Sequence, residues 1–175
     1  KHTHEVNCII SASAAGYYPS SKDKVYTEDD APGSDFMSVV CQKWEKEAQN
    51  FETLGIRTVR ARIGIVLSDE DGALPAMAKP VRYGLGAALG DGKQLMSLIH
   101  INDLARLFLH SLLTDNMTGA YNFVGPQTTT NKDLTQAIAK TLGRPLVVPP
   151  VPAFALKMVL GEMAEVVLRS NGLSN

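Results

Sequence analysis

Two serines, Ser11 and Ser13, close the short apolar run VNCIISASA, and two tyrosines, Tyr17 and Tyr18, follow them. Open α/β sheets grip ligands in the crevice beyond their strand ends, so hydroxyls delivered there are candidate ligand contacts. At i and i+2 the two serines share one face wherever the strand persists that far. One of them then hydrogen-bonds a ligand oxygen; the competing role is to let the chain pack tightly where the strand turns. Lys43, about two turns into the helix that should follow, carries a charge able to lower a neighbouring pKa. Its competing reading is a solvated lysine beside Glu45, Lys46 and Glu47. Cys41 lies on another side of that helix, with no histidine near in sequence to activate it, and reads as core.

Further along, His100-Ile101-Asn102-Asp103 sets a histidine at a strand end and an acid in the first helical turn, where Asp103 complements the helix dipole. His100 is either a catalytic base or a structural residue at the corner. His2 and His4 form an HxH with no further ligands, so no metal site is expected. The glycines of Gly84-Leu85-Gly86-Ala87-Ala88-Leu89-Gly90 have a phosphate-loop rhythm, but Asp91-Gly92-Lys93-Gln94 continues the turn where such a loop must open a helix. A mobile loop on the substrate side is the better reading.

The elements that must position these residues follow from periodicity. Val6 to Ser11 reads as a buried strand, and Pro19 to Ser34 as a long loop of the kind that usually carries function. From Asp35 the apolar positions Phe36, Val40, Trp44, Ala48 and Phe51 recur at helical spacing, with Ser34 or Asp35 as N-cap and Gly55 as the stop. Ile56 to Leu67 is a second strand, which makes a β-loop-α-β unit with parallel strands. A short helix is expected over 74–83, kinked at Pro80, then a strand over 95–101. Asn102 caps a helix to about Leu113 that turns Leu104, Leu107, Phe108 and Leu112 inward. A strand over 120–124, a helix capped by Thr130 or Asn131 and running to Leu142, a strand-like 146–148 and an amphipathic helix over 153–169 complete the pattern.

The chain has 175 residues, 45% hydrophobic and 20% charged, enough for one domain with a real core. A net charge of −1 and the lack of basic runs interleaved with aromatics argue against nucleic acid. The longest apolar stretch, near Pro149 to Leu160, is cut by prolines and Lys157 and falls short of the ~20 residues of a membrane span. Cys8 and Cys41 look like buried thiols in a reducing compartment, so the cytoplasm is expected, although a reducing organelle interior would give the same pattern. The opening KHTHEV lacks an initiator methionine and the chain closes on turn-formers, so a later portion of a longer protein is expected.

Taken in order, SASAAGYYP, KWEKEA, GIRTVRARIGIVLSDEDGAL, GLGAALGDGKQ, IHINDLARLF, GAYNFVGPQTTTNKDL and GRPLVVPPVPAFAL resemble the extended short-chain dehydrogenase/reductase superfamily, and within it the epimerase family, sugar-nucleotide epimerase-like proteins. The resemblance spans essentially the whole chain. It implies an α/β fold: the C-terminal part of a doubly wound Rossmann-like parallel sheet with a small mixed α/β substrate lobe. Residues 1–72 would be the later strands and helix of an NAD(P)-binding domain. Residues 73–175 would be mainly the lobe, with 95–115 returning to the Rossmann-like core. The glycine-rich phosphate loop would precede Lys1.

Carried over residue by residue, the resemblance makes Ser13 the catalytic serine and Lys43 the lysine that holds the nicotinamide ribose. The superfamily's tyrosine position is Val39, which cannot carry a proton; Tyr17 or Tyr18 would have to substitute. Ser11, Ala12, Arg62, Gly64 and Ile65 fall on the cofactor side. Met77, Lys79, Arg82, Lys93, Gln94 and His100 fall on the substrate side. The implied activity is hydride transfer between NADP or NAD and a small hydroxyl or carbonyl substrate. The alternative is a non-catalytic dinucleotide-binding sensor or scaffold. A homodimer would be in keeping with the superfamily.

Overall fold

In the computed structural model, which describes residues 6–174, strand β1 (Cys8–Ala14) runs on past Ser11 and carries Ser13 inside the sheet. A 3-10 turn, Ala15–Tyr17, leads through the loop to a short strand β2 (Val25–Tyr26). Helix α1 (Phe36–Gln49) starts where Asp35 accepts the Ser38 backbone N–H at 3.1 Å. That contact satisfies one of the orphan donors of the first turn. The chain leaves α1 through a second 3-10 segment and turns at Gly55, whose φ of 77° suits glycine. Then follow β3 (Arg57–Ile63), β4 (Ile65–Leu67), α2 (Ala73–Arg82), β5 (Leu95–His100), α3 (Ile101–Leu113), β6 (Gly119–Phe123), β7 (Thr128–Thr130), α4 (Asn131–Thr141), α5 (Ala153–Leu160), α6 (Met163–Leu168) and β8 (Gly172–Leu173).

Three strands, in the order β1-β3-β6, form an all-parallel sheet. The segment expected as one strand over 56–67 is broken at Gly64, and the break redirects the chain. Up to Ile63 it pairs with β6; from Ile65 it pairs with β5, itself antiparallel to β7. Only glycine fits the crossing, since a Cβ on Gly64 would run into the Ser97 carbonyl oxygen and the Cγ1 of Val124 at 2.9 Å. A third pairing, β2 with β8, ties the end of the chain to the loop after β1.

The apolar core lies in separate patches. Ala61, Ile99, Leu104 and Phe123 join the parallel sheet to α3, while Ala78, Val81, Leu134, Ile138 and Ala139 join α2 to α4. Helix α1 departs from its apolar periodicity: Phe36 and Trp44, and Phe51 just beyond the helix, are exposed, whereas Ser38, Cys41, Glu45 and Ala48 are buried. The inward face is therefore polar, and the aromatic stripe stands beside the outer edge of β1. Ile9, Ser11 and Ala12 there face Trp44, Ala48, Phe51 and Leu54 across a groove of about 560 Å3. Cys41 is core, as its position on the helix suggests.

Other elements shift for local reasons. The helix over 153–169 is two helices, because Gly161 takes φ 57° and ψ −132° between them. Residues 146–148 form no strand; nearby Val151 makes only an isolated bridge to Leu89. The cap of α3 is His100, which accepts the Asn102 backbone N–H, and not Asn102 itself. Leu112, expected inward, is exposed. Thr130 caps α4. The short strands β2, β7 and β8 carry no period long enough to announce them.

Candidate functional site

Strand register sets Ser13 of β1 beside Arg62 of β3, and Arg62 beside Asn122 of β6, so one polar row crosses the carboxyl end of the parallel sheet. All three side chains are buried. Glu45, projecting from the inward face of α1, completes the row. Ser13 Oγ donates to Glu45 Oε1 at 2.8 Å. Arg62 grips the same carboxylate with two donors, Nε to Oε1 and Nη2 to Oε2, each at 2.9 Å. Planar forks of this kind are the strong form of ion pair, and a buried one is stable only while both members are present.

The guanidinium reaches two tyrosines as well. Arg62 Nη1 donates to the Tyr18 hydroxyl at 2.7 Å, and that hydroxyl donates to Asn122 Oδ1 at 2.9 Å. The Asn122 backbone N–H in turn donates to Glu28 Oε1 at 2.7 Å. Tyr17 lays its ring face against the guanidinium, with the Arg62 carbon 3.5 Å from the ring centre. Burial raises the Tyr18 pKa above its ordinary value even though Arg62 pulls the other way. Burial pulls the Arg62 pKa down, but the hydrogen bonds it donates to Glu45 and Tyr18 outweigh this and leave it above its ordinary value.

A second arginine fixes the turn that bears the tyrosines. Arg169, just beyond α6, donates through Nη2 to the carbonyls of Gly16 and Tyr18, on either side of Tyr17, and to Asp35 at the cap of α1. Burial raises the Asp35 pKa, but Arg169 and the Ser38 backbone N–H more than offset this and leave it below its ordinary value. Ser170 and Asn171 continue the strap, contacting Ser20, Ser21, Tyr18 and Pro19.

The sequence candidates therefore separate. Ser13 and Arg62 meet in the row, and Tyr17 and Tyr18 flank Arg62. Tyr18 is wholly buried with its hydroxyl engaged on both sides. Tyr17 is half-buried and its hydroxyl makes no hydrogen bond among the described residues. Lys43 does not face the serines: it is exposed on α1, and Glu45, two positions on, takes the place beside Ser13. Val39 is exposed as well. Ser11 and Ala12 line the groove at the outer edge of β1. Gly64 is packed against the β5 backbone and Ile65 pairs with Leu98.

On the other side, Met77 packs into the α2–α4 core, Lys79, Arg82 and Lys93 are exposed, and His100 serves as a helix cap. Gln94 is buried, donates to the Leu89 carbonyl, and has no partner for Oε1 among the described residues. The structure does not gather these into one constellation. His2 and His4 lie outside the described residues, among which no three His, Cys, Asp or Glu side chains cluster as metal ligands would. Glu45, Asn122 and Arg169 were invisible as site residues. The one sequence signal for Glu45 was its place in the i, i+3, i+7, i+10 set with Ser38, Cys41 and Ala48, a face that looks solvated on polarity alone.

No family model matches the chain. An epimerase family protein of Staphylococcus saprophyticus is 42% identical over 170 residues, which is 96% of this chain and 56% of that protein. The Bacillus subtilis epimerase family protein YfhF is 38% identical over 97% of this chain and 55% of its own length. The crystal structure of human epimerase family protein SDR39U1 (isoform 2) with NADPH superposes with a TM-score of 0.84 at 30% identity, covering 96% of this chain and 57% of that one. A Thermus thermophilus UDP-glucose 4-epimerase complex with NAD shares the fold at a TM-score of 0.67 and 21% identity. The chain spans about half the length of the curated relatives it matches.

Proposed function

We propose, from a chain that belongs to the extended short-chain dehydrogenase/reductase superfamily and within it is kin to the epimerase family proteins, an NAD(P)-dependent oxidoreductase or epimerase-like function acting on a small hydroxyl or carbonyl substrate. The observation that carries this reading is the polar row at the carboxyl end of the parallel sheet, where such folds place their ligands. A nicotinamide dinucleotide fits the residues present. Lys43 stands exposed with no ion pair or hydrogen bond among the described residues, leaving its ammonium for a ribose, and Ser11 and Ala12 border an uncovered strand edge. When bound, the nicotinamide would supply or accept the hydride. The loop that holds its pyrophosphate is proposed to lie outside these residues.

In this reading residues 1–72 with 95–115 form the cofactor side and the rest of 73–175 the substrate lobe. Ser13 contacts the reacting oxygen. Tyr17, its hydroxyl free and its ring against a cation, moves the proton that Val39 cannot. Two copies would pair through exposed apolar residues of α3 such as Leu109 and Leu113. No helix among the described residues is long and apolar enough to cross a membrane, and a cytoplasmic setting is proposed. Titrating the full-length protein with NADPH and NADH tests the reading, which fails if neither binds.

Val39 favours a second reading, a dinucleotide-binding sensor or scaffold that has lost its chemistry. It wins if the nucleotide-loaded full-length protein exchanges no hydride with any carbonyl or sugar nucleotide tried and Tyr17→Phe leaves nucleotide binding unchanged.

A further inference from the structure

Ser13 is 6% exposed, so it offers a ligand little more than its hydroxyl. Which end of that hydroxyl is offered depends on Glu45. The carboxylate accepts from Ser13 at 2.8 Å and from Arg62 at two points, and Arg60 Nε stands 3.9 Å from Oε2. Two guanidinium groups thus face Glu45, and a carboxylate paired in this way is acceptor-only. The Ser13 proton is committed to Glu45, and what the serine oxygen has left is lone pairs. Cys41 also lies beside Ser13: burial raises its thiol pKa and the serine hydroxyl lowers it, as a donor does, but the close hydrogen bond of that hydroxyl, at 2.8 Å, is the one to Glu45.

We infer that Glu45 is a positioning residue that fixes Ser13 as a hydrogen-bond acceptor, so that the ligand group taken at this strand end is a donor, the hydroxyl form of the substrate and not the carbonyl form. The inference rests on the reading of Ser13 as a ligand contact. It ascribes to Glu45 no contact with the ligand. Arg62 is the counterpart that keeps the carboxylate in place, and its fork leaves Glu45 no second orientation.

Hydroxyl protons that are buried and strongly donated exchange slowly and can be observed directly. In full-length protein labelled with 13C-serine, the Ser13 hydroxyl, assigned by its loss in Ser13→Ala, is expected as a downfield, slowly exchanging proton. Glu45→Gln should abolish it, because Arg62 takes the amide oxygen and the amide N–H groups then donate to Ser13. Should that variant fail to fold, Glu45→Met combined with Arg62→Met removes the pair as a unit and is expected to abolish the same signal. With NADP+ present, propan-2-ol should shift the Ser13 Cβ resonance at about two- to tenfold lower concentration than acetone does with NADPH, and Glu45→Gln should reverse that order. A Ser13 signal that survives loss of Glu45, a preference for acetone in the unaltered protein, or no shift with either probe overturns the inference. Failure to bind NADPH while the Ser13 signal is present and Glu45-dependent overturns the cofactor reading and leaves the polarity of Ser13 standing.

Discussion

The carboxyl end of the parallel sheet and the α2–α4 lobe are built on opposite rules. At the sheet end the interior is polar: Ser13, Glu45, Arg62, Tyr18 and Asn122 are buried, and each has a partner within hydrogen-bond distance. Between α2 and α4 the packing is mainly apolar, with Leu134, Ile138 and Val81 at its centre and Asn131, Thr135 and Gln94 buried at its margin, and the charged candidates Lys79, Arg82 and Lys93 stay in water. Burying polar groups is costly unless every one is satisfied, so a closed network of this kind restricts geometry where an apolar patch restricts only volume. The first region has side chains pinned in single orientations; the second is a support.

The sharpest way to break that contrast is to open the network. Glu45→Ala leaves Arg62 buried and unpaired and should cost about 3–5 kcal/mol in denaturant unfolding. A loss under about 1 kcal/mol would mean the pair is solvated and the contrast false. Leu134→Ala, the matching change in the lobe, should cost roughly 2–3 kcal/mol through its cavity while leaving the environment of Ser13 and Tyr17 unchanged by NMR.

The two tyrosines sharpen the comparison within the first region. Tyr18→Phe strands Asn122 Oδ1 and one Arg62 donor and should destabilise by about 1–3 kcal/mol. Tyr17→Phe, whose hydroxyl has no hydrogen-bond partner among the described residues, should stay within about 0.5 kcal/mol, and under the proposed function it should abolish hydride exchange in the full-length protein.

A smaller effect is expected with acid. The Asp35 carboxyl titrates below its ordinary value of 3.8 when folded, so its pairing with Arg169 and the Ser38 N–H stabilises the protein above that value. The stabilisation is lost as pH falls from 3.8 through the folded value, and Asp35→Asn should flatten that part of the stability profile. Smallest of all, Arg82→Ala and Lys93→Ala should each fall within about 0.5 kcal/mol. A larger change would place them in contacts that the exposed side chains do not make.

The β-loop-α-β unit up to residue 67 was legible because β-branched runs and a capped helix obey local rules, with Asp35 and Gly55 marking the ends of its helical segment; Thr130 marked the start of α4 in the same way. The break at Gly64 was not legible: a glycine inside a strand pattern gives no sign that a carbonyl of another strand lies where its Cβ would be. The periodicity of α1 misled for a related reason. Phe36, Trp44 and Phe51 form the apolar stripe, yet the face that packs inward is the one able to complete the polar row, with Glu45 as its centre.

By itself the sequence determined the longer helices and strands and their order, the strand-end serine and the kinship, since these depend on local propensity and on residue identity, while the short strands β2, β7 and β8 and the division of 153–169 into two helices escaped it. Tertiary structure alone decided that Ser13, Arg62 and Asn122 stand side by side, that Glu45 and not Lys43 meets the serine, and that Arg169 grips the turn around Tyr17. Those facts turn on strand register and helix rotation, and a one-residue slip in register or a quarter-turn of the helix would exchange buried for exposed side chains without altering the local pattern.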